Sequence, residues 1–228
     1  MKSTGRILAG VVAILAMTGV SLAAPAKAPP ELPPQAKVGG TQLQAEPVTV
    51  QTMLSFEKPG QRIFVLERYD PKTGELIDRV IEPLKSPPEL VTAKDFTRRI
   101  NGRLFRSYGL DVCPVKKINY FGELRDCADG IKEDMSMTGP RATVFLCRSL
   151  ASTNSPETAR CFYILEERLP DGRPIGGLGD TDEKIIFFGY ATILKGNSGS
   201  LRPDLEQSQF FGIQQKTGMY GLDLLKGK

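Results

Sequence analysis

From residue 48 onward, short apolar, β-prone segments are separated by turn-like polar, proline and glycine stretches. Residues 48–54, VTVQTML, open this pattern and predict a strand. RIFVLERY and ELIDRVIE follow on either side of Asp70-Pro71-Lys72-Thr73-Gly74. Proline presets the first turn dihedral, aspartate accepts a backbone hydrogen bond and glycine takes the left-handed position, so the segment predicts a β-hairpin. Pro83, Pro87 and Pro88 end its second strand. At residues 92–105 the period changes: Ala93, Phe96, Ile100 and Leu104 recur on one helical face behind a Thr92 and Asp95 capping pair, which predicts a helix. Residues 113–134 are mixed and predict a loop with a short helix. Strands are expected at 143–149 and 158–168, and the most apolar one at 184–194 after the glycine-rich connection GRPIGGLGDTD.

The strands at 143–149 and 158–168 flank the turn-like stretch 151–156, with Asn154 midway between Cys147 and Cys161. A hairpin centred on Asn154 sets those cysteines opposite each other, and with them Leu146 against Phe162, Val144 against Ile164 and Phe145 against Tyr163. The same register opposes Arg148 to Arg160, an unfavourable like-charge pair. Cys113 and Cys127 share the 14-residue offset, so neighbour pairing predicts two structural disulfides. No C-x-x-C motif brings two thiolates to one turn as zinc sites usually require. The fold class expected is α+β and β-rich: a mostly antiparallel sheet or sandwich with one or two helices, held by disulfides and spanning residues 48–205.

Ahead of this domain the pattern differs. Lys2 and Arg6 precede an uncharged run from Ile7 to Ala23, and the small residues Ser21 and Ala23 suit cleavage after Ala23, so residues 1–23 are expected to be a secretory signal peptide. Residues 24–47 carry Pro25, Pro29, Pro30, Pro33, Pro34 and Pro47 with few large apolar side chains, and are expected to be a flexible linker. No later run is long and apolar enough for a transmembrane helix after cleavage. Export makes disulfides the default state of the cysteines.

Among the 228 residues there is no histidine, which removes serine triads, Cys-His dyads and most zinc and copper sites. The formal charge is +4, and without Lys2 and Arg6 it is about +2, too balanced to suggest nucleic acid as the partner. Gly196-Asn197-Ser198-Gly199-Ser200 resembles the nucleophile motif of chymotrypsin-like serine proteases in five residues only, and the histidine that family needs is missing. A Ser198 and Lys195 dyad requires a buried lysine, whereas the stretch is polar and glycine-rich. Asp171, Asp180, Asp182 and Glu183 are oxygen donors whose spacing fits no EF-hand. Met135 and Met137 lack the thiols or imidazoles that would accompany them at a soft-metal site. No cofactor or metal ion is expected.

Two features point towards a protein partner. Arg99, Arg103 and Arg106 fall on one stripe of the expected helix, and residues 206–228 carry Phe210, Phe211 and Tyr220 among several glycines, as a packed final strand or a partner-binding tail. The expected function is an exported, non-enzymatic binding or assembly module of the bacterial cell envelope, periplasmic or secreted, such as an accessory subunit of a secretion, conjugation or surface-structure machine. Two alternatives are an exported hydrolase that uses carboxylates on glycan and a secreted inhibitor that presents the 113–127 loop.

Overall fold

A computed structural model of the protein describes residues 37–225. The leader expected at 1–23 and the proline-rich stretch up to residue 36 lie outside the described residues. The chain is already part of the fold at Lys37. Strands β1 (Lys37–Val38) and β2 (Thr41–Gln42) form a small hairpin, and Val38 and Leu43 are buried with Tyr69. Residues 37–47 of the expected linker therefore pack on the domain.

The strand expected at 48–54 is instead a helix, α1 (Val50–Leu54). The Thr49 hydroxyl caps it by accepting the Thr52 N–H at 3.1 Å. Helical geometry brings Val48, Met53 and Leu54 onto one sheet face, where a strand would have split neighbouring side chains between two faces. The first hairpin forms as its sequence predicts, from β3 (Ile63–Tyr69) and β4 (Leu76–Pro83). Asp70 accepts the N–H groups of Lys72 and Thr73 at 2.7 and 2.9 Å. Gly74 sits at φ 74°, where a Cβ would lie 1.9 Å from the Gln42 carbonyl oxygen.

The helix expected at 92–105 is overturned. In its place are β5 (Glu89–Thr92), β6 (Thr97–Ile100) and β7 (Arg103–Arg106), paired antiparallel in that order. Asn101 and Gly102 both take positive φ, 49° and 83°, as a two-residue hairpin turn requires. That Asn-Gly pair is a stronger local signal than four apolar residues at helical spacing. Thr92 and Asp95 cap no helix: Asp95 accepts the Thr97 hydroxyl at 2.6 Å.

Next come β8 (Leu110–Val112), the hairpin of β9 (Lys117–Tyr120) and β10 (Glu123–Asp126), and helix α2 (Cys127–Thr138), which Asp126 caps. Strands β11 (Ala142–Leu150) and β12 (Glu157–Leu165) pair in the register read from the sequence, with Leu146 opposite Phe162, Cys147 opposite Cys161 and Arg148 opposite Arg160. The apolar strand expected at 184–194 divides differently: a short β13 (Gly179–Asp180), helix α3 (Thr181–Phe187) and β14 (Ala191–Ile193). Asp180 accepts the N–H groups of Asp182 and Glu183 at 2.8 and 3.3 Å, and Gly189 at φ 67° follows the helix, so cap and terminator override the apolar run. The described residues end with a hairpin of β15 (Lys195–Gly196) and β16 (Gly199–Ser200), helix α4 (Glu206–Gln214) and a 3₁₀ turn, Met219–Leu225.

The central sheet runs in the order β4-β3-β11-β12-β7-β6-β5, with β13 also on β12. It is mixed, because β11 is parallel to β3 and β12 is parallel to β7. Phe64, Leu66, Phe105, Phe145 and Cys147 share one buried cluster, and Ile63, Val65, Val144, Leu146 and Phe162 share another with Met53 of α1. A third cluster joins α2 and α3 through Ile118, Ile131, Ile185, Ile186 and Tyr190. Both disulfides form between neighbours, Cys113–Cys127 and Cys147–Cys161. Among the described residues no helix is long and apolar enough to cross a membrane.

Candidate functional site

Three features invite a functional reading: a row of buried charges, the outer face of α4 and a narrow cleft beside α2. The charges begin at Glu67 on β3. Its carboxylate accepts from Arg148 Nε at 2.8 Å, from the Tyr69 hydroxyl at 2.8 Å and from Arg79 at 2.9 Å. Burial pushes the Glu67 pKa up, but Arg148, Tyr69 and Arg79 outweigh it and hold the carboxyl below its ordinary value. Arg160, opposite Arg148, has its own partners: Asp180 at 2.5 Å and Asp204 at 2.8 Å. The like-charge opposition read from the sequence is therefore real, and each guanidinium is neutralised from its other side.

Asp182 lies deeper still, with no exposed surface. It accepts from Arg202 at 2.7 Å, from the Ser107 hydroxyl at 2.5 Å and from Arg98 at 3.3 Å. Arg98, also fully buried, donates to Thr181 at 2.6 Å and lies over the Phe96 ring. Arg202 further pairs with Asp204 at 3.0 Å. Glu67, Asp180 and Asp182 are thus held by guanidinium groups and are not free to act as a base or to bind calcium. Of the other oxygen donors considered, Asp171 pairs with Arg173 at 2.7 Å and Glu183 accepts from Ser208 at 2.8 Å. Among the described residues no three such side chains could hold a metal ion. The network joins strand, loop and helix segments distant in sequence, which is a structural task. Nothing in the sequence marks Arg98 or Arg202 as buried, since an arginine carries no sign of burial until its strand is known.

The arginine stripe does not exist, because its helix does not. Arg99 pairs with Glu89 at 3.0 Å, Arg103 pairs with Glu82 at 2.9 Å, and Arg106 reaches the Thr158 hydroxyl at 3.4 Å. The C-terminal segment packs on the domain as helix and 3₁₀ turn rather than as a final strand. Its glycines permit close approach: a Cβ on Gly212 would lie 2.7 Å from the Phe187 carbonyl oxygen, and one on Gly218 would lie 2.2 Å from that of Phe188. Met219 N–H donates to Gly189 and Asn119 N–H donates to Gly218, at 3.0 and 3.1 Å. Tyr220 turns inward, its hydroxyl donating to the Ala191 carbonyl at 3.3 Å and its pKa pushed up to about 12 by burial. Phe210, Phe211 and Ile213 stay outside, 54%, 44% and 48% exposed.

The cleft is lined by Phe96 and Phe145, by Ile131, Asp134, Met135 and Thr138 of α2, by Tyr163 of β12, and by Lys184 and Ile185 of α3. It encloses about 400 Å³ counted to its open mouth. Asp134 is its one carboxylate, so this cleft lacks the facing pair that glycoside hydrolysis requires. Gly196 to Ser200 form the tight β15–β16 hairpin, with Lys195 exposed, so the lysine lacks the burial that a dyad needs. No protein-family model matches the sequence, and no curated protein matches it.

Proposed function

We propose that this chain is an exported, non-enzymatic binding or assembly module of the bacterial cell envelope, periplasmic or secreted, which holds a protein partner on the outer face of α4. One observation carries the reading: Phe210, Phe211 and Ile213 face solvent together on a helix whose other side is fixed by buried Ser208 and Gly212. Exposed aromatic side chains on a rigid element are typical anchors of protein interfaces. Two disulfides suit an oxidising compartment. The near-neutral charge favours an apolar contact over an electrostatic one.

Truncating the tail is a poor test, because it removes the contacts of Gly212, Gly218 and Met219 with the domain. Substitution keeps them. With Phe210→Ser and Phe211→Ser combined, partner retention from envelope extract is expected to fall roughly 30-fold, as the loss of about 2 kcal/mol of anchor energy implies. The thermal midpoint should move less than for a core substitution, since both residues are about half exposed already. Equal retention by the variant and the parent protein would remove α4 from the interface.

Phe121 favours a second reading as a secreted inhibitor. It is 78% exposed at the tip of the β9–β10 hairpin, between the cysteines of the first disulfide. A clamped loop with an apolar tip can enter a target's cleft at small entropic cost.

A further inference from the structure

We infer that the cleft beside α2 is a second recognition site, which takes one branched aliphatic side chain of a partner polypeptide together with a neighbouring backbone N–H. The inference rests on the protein-binding reading above and adds to it the chemistry of one contact.

The walls set the apolar half of the ligand. Phe96, Phe145, Ile131 and Ile185 supply hydrocarbon, and the Phe145 and Tyr163 rings stack with centroids 6.0 Å apart. The space is narrow: only about 30 Å³ admits the centre of a water molecule. That is well below the roughly 150 Å³ of an apolar cavity holding benzene, so the closed cleft excludes a ring and an aliphatic tip enters only as the wall parts.

Asp134 sets the polar half. The residue is 7% exposed, and its Oδ2 has no hydrogen-bond donor among the described residues. Lys184 Nζ forms an ion pair with that oxygen at 3.3 Å and donates one N–H to the Thr138 hydroxyl at 2.5 Å. The ammonium thus pairs with Oδ2 outside good hydrogen-bond geometry, and a carboxylate oxygen with two lone pairs keeps room for a further donor. A buried acceptor with capacity to spare is stabilised by an incoming donor. The donor should be neutral, since a second cation would face Lys184. A peptide N–H meets that requirement and a leucine or valine side chain fills the walls beside it. Oδ2 is closed to bulk water, so the donor must arrive as the apolar group parts the wall. Met135, with three rotatable bonds, is the side chain of that wall best able to move.

The test is a titration of the ¹⁵N-labelled, disulfide-bonded protein with N-acetyl-leucine N-methylamide, followed by amide chemical shifts. Saturable shifts are expected at Asp134, Thr138 and Ile185, with a dissociation constant on the order of millimolar for so small a ligand. The glycine analogue should bind at least about tenfold more weakly, because it lacks the aliphatic tip. Asp134→Leu should weaken the leucine compound about fivefold or more by removing the acceptor. Met135→Phe, which narrows the entrance and leaves Asp134 in place, should do the same and serves if the first variant does not fold. Equal binding of the leucine and glycine compounds, or shifts that neither variant changes, would overturn the assignment. Shifts confined to Phe210 and its neighbours would overturn it too, while leaving the α4 interface intact. Conversely, partner retention that survives the Phe210 and Phe211 substitutions beside saturable binding at the cleft would sink the α4 reading alone.

Discussion

Reducing both disulfides is expected to remove about 6 kcal/mol of stability, at about 3 kcal/mol for each closed loop of this length. Domains of this kind hold only about 5–15 kcal/mol in total, so the reduced chain should be marginal at 37 °C. Each bridge lies where the fold depends on it. Cys147 and Cys161 are fully buried between the central strands β11 and β12. Cys113–Cys127 ties the residue after β8 to the first residue of α2, across the β9–β10 hairpin. Urea unfolding with and without reductant checks the expectation through the shift in ΔG. An unchanged midpoint in protein shown to be fully reduced would mean that the bridges do little for the fold, and the physical reason for an oxidising compartment would go with them.

Asp182→Ala is expected to cost about 3–5 kcal/mol, because it strands two buried guanidinium groups whose desolvation is no longer offset. Arg98 has no exposed surface and Arg202 almost none, so neither can turn to water for compensation. Arg202 retains Asp204, whereas Arg98 keeps no carboxylate, only the Thr181 hydroxyl, a long contact to the Ala159 carbonyl and the face of the Phe96 ring. The double variant Arg98→Met, Asp182→Leu should therefore be more stable than Asp182→Ala, since it removes the stranded charge and fills the same volume with hydrocarbon. Paired urea titrations decide this, and a double variant less stable than the single one would mean that the network does more than neutralise itself.

The same groups set the acid limit. Burial raises the Asp182 pKa, but Arg202, Arg98 and Ser107 outweigh it, so the folded carboxyl titrates below its unfolded value; Glu67 behaves likewise. Their contribution is complete above the unfolded pKa values, about 4, and is lost as pH falls through the lower folded ones. Asp134 acts in the opposite sense. Burial holds its pKa above the ordinary value despite Lys184, so its contribution is present at low pH and fades as pH rises through the folded pKa.

Local pairing was legible in the sequence wherever a turn and two alternating strands lay together. The Asp70 to Gly74 turn and the hairpin about Asn154 both specified their partners, the second down to the opposition of Cys147 and Cys161. Errors came where capping or turn residues competed with apolar spacing. Asn101-Gly102 made a hairpin of an apparent helix, Asp180 made a helix of an apparent strand, and Thr49 did the same for residues 50–54. The same Asn-Gly turn divides residues 92–105 between two strands, so the fold never assembles the arginine stripe that a helix would carry. The parallel pairings of β3 with β11 and of β7 with β12 are long-range and leave no local mark. Neither does the cleft, since Asp134, Tyr163 and Lys184 come from three elements that meet only in the folded chain. The glycines of the tail read as obstacles to a helix, yet Gly212 is what lets α4 approach α3.

The most direct measurement is site-specific photo-crosslinking in intact cells that produce the protein. A benzophenone side chain would be placed in turn at Phe210, at Phe121 and at exposed Lys72 in the β3–β4 turn. Position 210 is expected to yield one discrete protein adduct, with no counterpart at positions 121 and 72. The same adduct from Lys72, or none at Phe210 beside a clear one at Phe121, would contradict an interface on α4, and the Phe121 result would move the contact to the disulfide-clamped hairpin.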